Sequence, residues 1–219
     1  MVASTQRTAP PGPALFRHDR LLGCRFVAGA DEAGRGALAG PLIAAAVLFC
    51  PASCDRVALT QLNRLNDSKR LSERVREELA AIIYGCAIAV GVVAIASDEI
   101  DRIGIQAANL SALSRALDLL AAPAQSALLV DGFALPMQRR AHQRIVRGDS
   151  TSAAIAAASV IAKTTRDRVM AGLDATTPGY GFAAHAGYGT AMHRQALHRL
   201  GPAAVHRRSF APVALALAV

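Results

Sequence analysis

Residues Arg25 to Pro41 read RFVAGADEAGRGALAGP, and this stretch decides the class of fold. Arg25 to Ala30 is a short apolar run suited to a buried strand. It stops on two adjacent acids, Asp31 and Glu32. Glycines and small residues follow, the composition of a turn. Leu42 to Cys50 is again apolar and strand-like. The pattern recurs further along, where ALLV ends on Asp131. Buried strands that terminate on acids bring those acids to one edge of a sheet, where open α/β sheets bind ligands.

Around this core, Cys86 to Ala96 reads as a third strand and Leu128 to Val130 as a short fourth. Ser72 followed by Glu73 through Ile83 predicts an N-capped helix, with acids near its positive end. Ser97, Asp98 and Glu99 open another helix that runs to Leu120 before Ala121 and Pro123 end it. Ser152 to Met170 is an alanine-rich helix, and Thr190 to Leu200 a further one. Strands first and helices later describe an α/β domain. Residues 1–20, rich in Ala, Pro, Ser and Thr, are expected to be a flexible tail, 21–210 one domain and 211–219 a second tail.

The start of the chain lacks the apolar segment of a secretory signal, and no run approaches the ~18 apolar residues of a membrane span. Cys24, Cys50 and Cys86 lie in apolar runs without a CxxC pair, as expected of reduced thiols. A monomeric, cytoplasmic protein with no membrane partner is the expectation. The net charge of +8 is unevenly placed. Residues 138–208 carry eleven Lys/Arg and three Asp/Glu, and the remainder is neutral. A one-sided basic surface suits a polyanion, although a solubilising, arginine-rich surface has the same composition. The chain has no Trp and few other aromatics, which argues against base stacking as the dominant binding mode.

Asp31, Glu32, Asp131 and Asp149 are the candidate site. Acids gathered at a sheet edge repel one another, and a divalent cation removes that cost. Oxygen-only ligation favours Mg²⁺ or Mn²⁺, and paired ions of this kind catalyse phosphodiester hydrolysis. The ordinary alternatives are a turn acid at Asp31 and a helix cap at Asp149. GRGALAG matches neither a dinucleotide fingerprint nor a P-loop, which weighs against a small-molecule nucleotide enzyme. Its glycines let backbone approach a ligand, and Arg35 between them can donate to a sugar or phosphate. Ser68, Ser150 and Ser159, with His142, His185 and His193, raise a nucleophile reading, but no G-x-S-x-G elbow occurs. A non-catalytic nucleic-acid-binding module is a further alternative, and acids facing phosphates count against it.

GADEAGRGALAGPLIAAAV (Gly29 to Val47) resembles the signature opening of type 2 ribonucleases H. LNDSKRLSE (Leu65 to Glu73), LLVDGFALP (Leu128 to Pro136), GDSTSAAIAAASVIAKTTRDR (Gly148 to Arg168) and YGFAAHAGYGTAMH (Tyr180 to His193) resemble its later blocks, in the same order. The whole is similar to the bacterial ribonuclease HII family. The resemblance implies a ribonuclease H-like α/β fold: a mixed five-stranded sheet flanked by helices, with a C-terminal helical segment. It implies an endonuclease that cuts the RNA strand of RNA–DNA hybrids and incises 5′ to single ribonucleotides in duplex DNA, leaving 5′-phosphate and 3′-hydroxyl ends. It places the Mn²⁺ or Mg²⁺ ligands on Asp31, Glu32, Asp131 and Asp149. Gly34, Arg35 and Gly36 would sense the ribose 2′-hydroxyl, and Tyr188 would stack at the RNA–DNA junction. Lys69, Arg70, Arg147, Lys163 and Arg166 are candidate phosphate contacts, with Asp167 expected in a surface ion pair. The chain departs from the pattern at Ala37 (usually Pro), Phe133 (commonly Asn) and Ala186 (often Lys).

Overall fold

A computed structural model describes residues 12–50, 56–66, 68 and 71–217. Lys69 and Arg70 lie outside the described residues, as does the stretch 1–11. The sheet is built from β1 (Val27–Ala33), β2 (Leu42–Phe49), β3 (Ala89–Ile95), β4 (Ala127–Asp131) and β5 (Gln143–Ile145), in the order β3-β2-β1-β4-β5. β1, β2 and β3 pair antiparallel, whereas β4 and β5 run parallel to β1. The sheet is therefore mixed and five-stranded.

Alternation along β1 and β2 supplies two cores. Val27, Ile43, Ala45, Val47 and Phe49 face one side, against the alanine-rich helix α6 (Ala153–Thr176) and helix α3 (Glu73–Cys86). Ala28, Ala30, Leu42, Ala44 and Leu48 face the other, against α5 (Ile105–Leu119). Helix α6 lies so close that a Cβ at Gly29 would sit 2.2 Å from the Ala154 carbonyl carbon. Small residues on both surfaces, Gly29 in the strand and the alanines at 153, 154 and 156–158 in the helix, permit that approach.

Three expectations are corrected. The tail expected over 1–20 is helical from Gly12: α1 (Gly12–Leu21) buries Leu15, Phe16 and Asp19 against the first core. The tail expected over 211–219 contains α9 (Ala211–Leu217), whose Val213 is buried with Leu38 and Leu197. The single helix expected from Ser97 to Leu120 is divided by Gly104 (φ 81°) into α4 (Ser97–Ile103) and α5. Beyond α6, a short helix α7 (Phe182–His185) and α8 (Ala191–Leu200) pack beside the glycine-rich segment. Helix α2 (Arg56–Leu62) precedes α3. Among the described residues no helix is long and apolar enough to cross a membrane.

Candidate active site

Parallel pairing of Ala30 with Val130 puts the next residues of the two strands, Asp31 and Asp131, at matching ends of adjacent strands. Glu32 follows on β1 and faces the opposite side of the strand from Asp31. Asp149 arrives on the 3₁₀ turn Gly148–Ser150, anchored where the Gly148 N–H donates to Asp131 Oδ1 (2.6 Å). All four acids line one cleft of about 880 Å³, with Gly34, Arg35, Gly36, Lys163 and Tyr188. Asp149 does not cap α6. That end is closed by Ser152 Oγ, which accepts from the Ile155 N–H, and by Asp19 Oδ2, which accepts from the Ala154 N–H (3.0 Å).

Asp31 is 7% exposed, and its Oδ1 accepts from the Glu32 N–H (2.7 Å). Burial, then the charges of Glu32 and Asp131, push its carboxyl well above the usual carboxylate range. The donor set is oxygen-only and the acids repel one another, the conditions that a hard divalent cation relieves. Among the described residues no three acidic, His or Cys side chains already form a closed metal-binding cluster. The fit is one of donor chemistry, in an open cleft.

The glycine-rich segment is held from behind by two fully buried arginines. Arg166 donates to the carbonyls of Pro41, Ala186 and Ala39, and Arg207 to those of Gly40 and Arg35. Arg166 was expected to touch phosphate; burial and three carbonyl contacts make it a framework residue. Its guanidinium also lies 5.4 Å from the ring centroid of Tyr188, which is 38% exposed to the cleft. Gly34 takes φ 88°, and a Cβ there would meet Arg166 Nε at 1.8 Å. Around Gly36 the space is open. The Arg35 side chain is exposed, donates to Gln106 Oε1 (2.9 Å) and lies over the Phe133 ring at 4.8 Å.

Lys163 also lines the cleft, and its Nζ pairs with Asp167 Oδ1 (2.5 Å). Arg76 pairs with the other Asp167 oxygen (3.0 Å) and donates to the carbonyls of Ser68 and Leu71. Asp167 is thus in an ion pair, but a half-buried one with Arg76 and Lys163, whereas a surface pair was expected beside Arg166 and Arg168. Arg147 is exposed, in a left-handed conformation (φ 55°). Arg76, Ile105, Gln106, Arg207 and Phe210 carried no legible signal, because they come from three distant stretches (α3, the start of α5 and the segment before α9) and meet the site only on folding. Ser68 and Ser159 are legible as serines, but their mutual contact is not.

The ribonuclease HII family profile matches residues 28–213. The chain belongs to the ribonuclease HII family. The ribonuclease HII of Geobacillus kaustophilus is 48% identical over 202 residues, covering 91% of this chain and 74% of that protein. Ribonuclease H2 from Pyrococcus horikoshii superposes with a TM-score of 0.71 at 23% identity, covering 87% of this chain and 96% of that one. Bst-RNase HIII, solved in complex with Mn²⁺, superposes with a TM-score of 0.65 at 20% identity, covering all of this chain and 75% of that one. At those identities the two structures speak for the fold. Membership makes the protein a ribonuclease H, a nuclease hydrolase acting on RNA-containing nucleic acid.

Proposed function

We propose that this ribonuclease HII hydrolyses the RNA strand of RNA–DNA hybrids and nicks duplex DNA on the 5′ side of a single ribonucleotide, with Mn²⁺ or Mg²⁺ as cofactor. The observation that carries the reading is the meeting of four acids with Gly34, Arg35, Gly36 and Tyr188 in one cleft. Asp31, Glu32, Asp131 and Asp149 would hold the cation. When bound, it supplies charge neutralisation and water activation for phosphodiester hydrolysis. Water adds to the phosphorus, the bond from phosphorus to the preceding O3′ breaks, and the ends are a 3′-hydroxyl and a 5′-phosphate.

Only the 2′-hydroxyl distinguishes a ribonucleotide from its neighbours. Gly36 has open space where a side chain would stand, so its backbone can reach that hydroxyl. Gly34 and Arg35 precede it in the same turn, and Arg207 and Arg166 hold the segment in place. Tyr188 stacks on the deoxyribose that follows, where an added hydroxyl would crowd the ring. Lys163, paired with Asp167, contacts a flanking phosphate, and exposed Arg147 is proposed as a second phosphate contact. Lys69 and Arg70 belong to the same proposal through their resemblance block alone.

Asp31→Asn should abolish cleavage while leaving duplex binding within a few-fold. Tyr188→Ala should impair nicking at a single ribonucleotide more than cutting of a long hybrid. Equal losses on both substrates would contradict the role given to Tyr188, and full activity of Asp31→Asn would contradict the site.

A further inference from the structure

Tyr188 is held through its backbone, and buried histidines supply much of the grip. Its N–H donates to the His185 carbonyl (2.9 Å). Its carbonyl accepts from the Thr190 N–H (2.8 Å) and from His193 Nδ1 (2.9 Å). The preceding Gly187 N–H donates to His185 Nδ1 (3.2 Å), and the Gly187 carbonyl accepts from the Leu38 N–H (2.8 Å). The Tyr188 ring itself lines the cleft. A tyrosine side chain has two torsions, so a fixed backbone confines where its ring can lie.

Proton counting fixes how the histidines connect. Burial, the largest cause in each, pushes His193 and His206 below the ordinary 6.5, so each ring is neutral at pH 7 and carries one N–H. A carbonyl only accepts, so the His193 proton is on Nδ1 and is given to Tyr188. His193 Nε2 must then accept, and His206 Nε2, facing it at 3.1 Å, is the donor. His206 Nδ1 is left to accept, and the Ala203 N–H meets it at 3.0 Å. Both rings are fully buried. The far end of this relay is anchored on the glycine-rich segment. His206 pairs with Ala39 in an antiparallel bridge, and the Arg207 N–H donates to the Leu38 carbonyl (2.8 Å). The relay therefore joins the segment that carries Gly36 to the loop that carries Tyr188.

We propose that His193, oriented by His206, is the positioning residue that fixes Tyr188 relative to the glycine-rich segment and so sets the preference for a ribonucleotide followed by a deoxynucleotide. The proposal rests on the reading of Tyr188 given above. Gly36 reads the 2′-hydroxyl and Tyr188 the next sugar, so the preference depends on the spacing between them. A long hybrid offers no deoxyribose at that position and gains nothing from the stack.

Two amide substitutions separate the two ends of the imidazole. His193→Asn puts an NH₂ group near the position of Nδ1 and keeps the donor to Tyr188. His193→Gln puts its amide near the position of Nε2 and keeps only the contact with His206. The experiment measures kcat/KM on a DNA duplex with one ribonucleotide and on a long RNA–DNA hybrid, with melting temperatures alongside. His193→Gln should lower the ratio of the first to the second roughly three- to tenfold, the worth of one hydrogen bond. His193→Asn should keep the ratio within about twofold of wild type, and so should His193→Gln change it by less than about twofold in a Tyr188→Ala background. A wild-type ratio in His193→Gln, with the ratio lowered in Tyr188→Ala, overturns the positioning role. Equal falls in the Asn and Gln variants that follow their melting temperatures overturn it in favour of packing. A further fall in the double variant overturns it in favour of a route that bypasses Tyr188. An unchanged ratio in Tyr188→Ala overturns instead the underlying reading of Tyr188, and the failures are thereby distinguished. If neither His193 variant folds, nitrogen-15 NMR of the wild-type imidazoles decides. Nδ1–H at His193 with Nε2–H at His206 supports the relay, and the reverse tautomers overturn it.

Discussion

Gly34 and Gly36 flank one arginine and lack side chains for different reasons. Gly34 is required by the fold: its φ is 88° and a Cβ would collide with Arg166. Gly36 has nothing within 4 Å of a Cβ position. Gly34→Ala should therefore cost well over ~1 kcal/mol of stability, because both backbone and packing oppose it. Gly36→Ala should fold with stability within ~0.5 kcal/mol of wild type yet cut ribonucleotide-containing duplex poorly. Urea denaturation and cleavage rates on the two variants check this. At this scale Asp31 and Asp131 were legible, because an apolar run that ends on a carboxylate announces a sheet edge, and Glu32 adjoins the first. Asp149 follows a basic, polar stretch and was reached through its position in the family motif. Arg166 was misread, since its sequence neighbours are charged and only folding puts it beneath Ala39 and Ala186. The Ser68–Ser159 contact spans 91 positions and leaves no local trace.

Helix α6 is the element on which the cleft depends, for it carries Ser159, Lys163 and Arg166. Its N-terminus is closed by Ser152 and by Asp19, a residue of α1. Burial raises the Asp19 carboxyl from its ordinary range, against hydrogen bonds from Ser152, His18 and Ala154 that favour its charged form. Asp19→Ala should cost about 1–2 kcal/mol, the loss of a cap. At roughly 2–4 °C per kcal/mol for a domain of this size, calorimetry should show the melting temperature falling by several degrees. Composition hid α1: Ala and Pro before Phe16 read as a tail, whereas Leu15, Phe16 and Asp19 are buried on folding. Strand β5 was visible only through family resemblance, because QRI is short, polar and at the sheet edge. Helix α3 was legible to its cap, with Ser72 Oγ accepting from the Val75 N–H as its spacing predicts.

Over the whole molecule, charge and titration follow burial. Arg139, Arg144, Arg147, Arg194, Arg199 and Arg208 of the basic third are exposed, but Arg166 and Arg207 are interior, so the surface is less basic than composition implies. Lys163→Ala should reduce the slope of log affinity against log salt by about one, as for one phosphate contact. Arg166→Ala should instead lower the melting temperature. The segment after α8 is tied to the loop that carries Tyr188 through buried histidines. The Ala203 N–H donates to His206 Nδ1, His206 Nε2–H to His193 Nε2, and His193 Nδ1–H to the Tyr188 carbonyl. Burial, then His193, pushes His206 down to about 4 from 6.5. Between those values the unfolded chain holds the extra proton, so stability is lost as pH falls through the window. Melting temperature should drop from pH 7 to pH 4, and less so in His206→Gln. The central claim is that the carboxylate cleft cuts beside a ribonucleotide and needs a divalent cation to do so. A labelled DNA duplex with one ribonucleotide, incubated with Mg²⁺, Mn²⁺ or EDTA, tests it most directly. The account predicts one nick on the 5′ side of the ribonucleotide, with a 3′-hydroxyl end, only when metal is present. Equal cutting of an all-DNA duplex, or a nick that persists in EDTA, would contradict it.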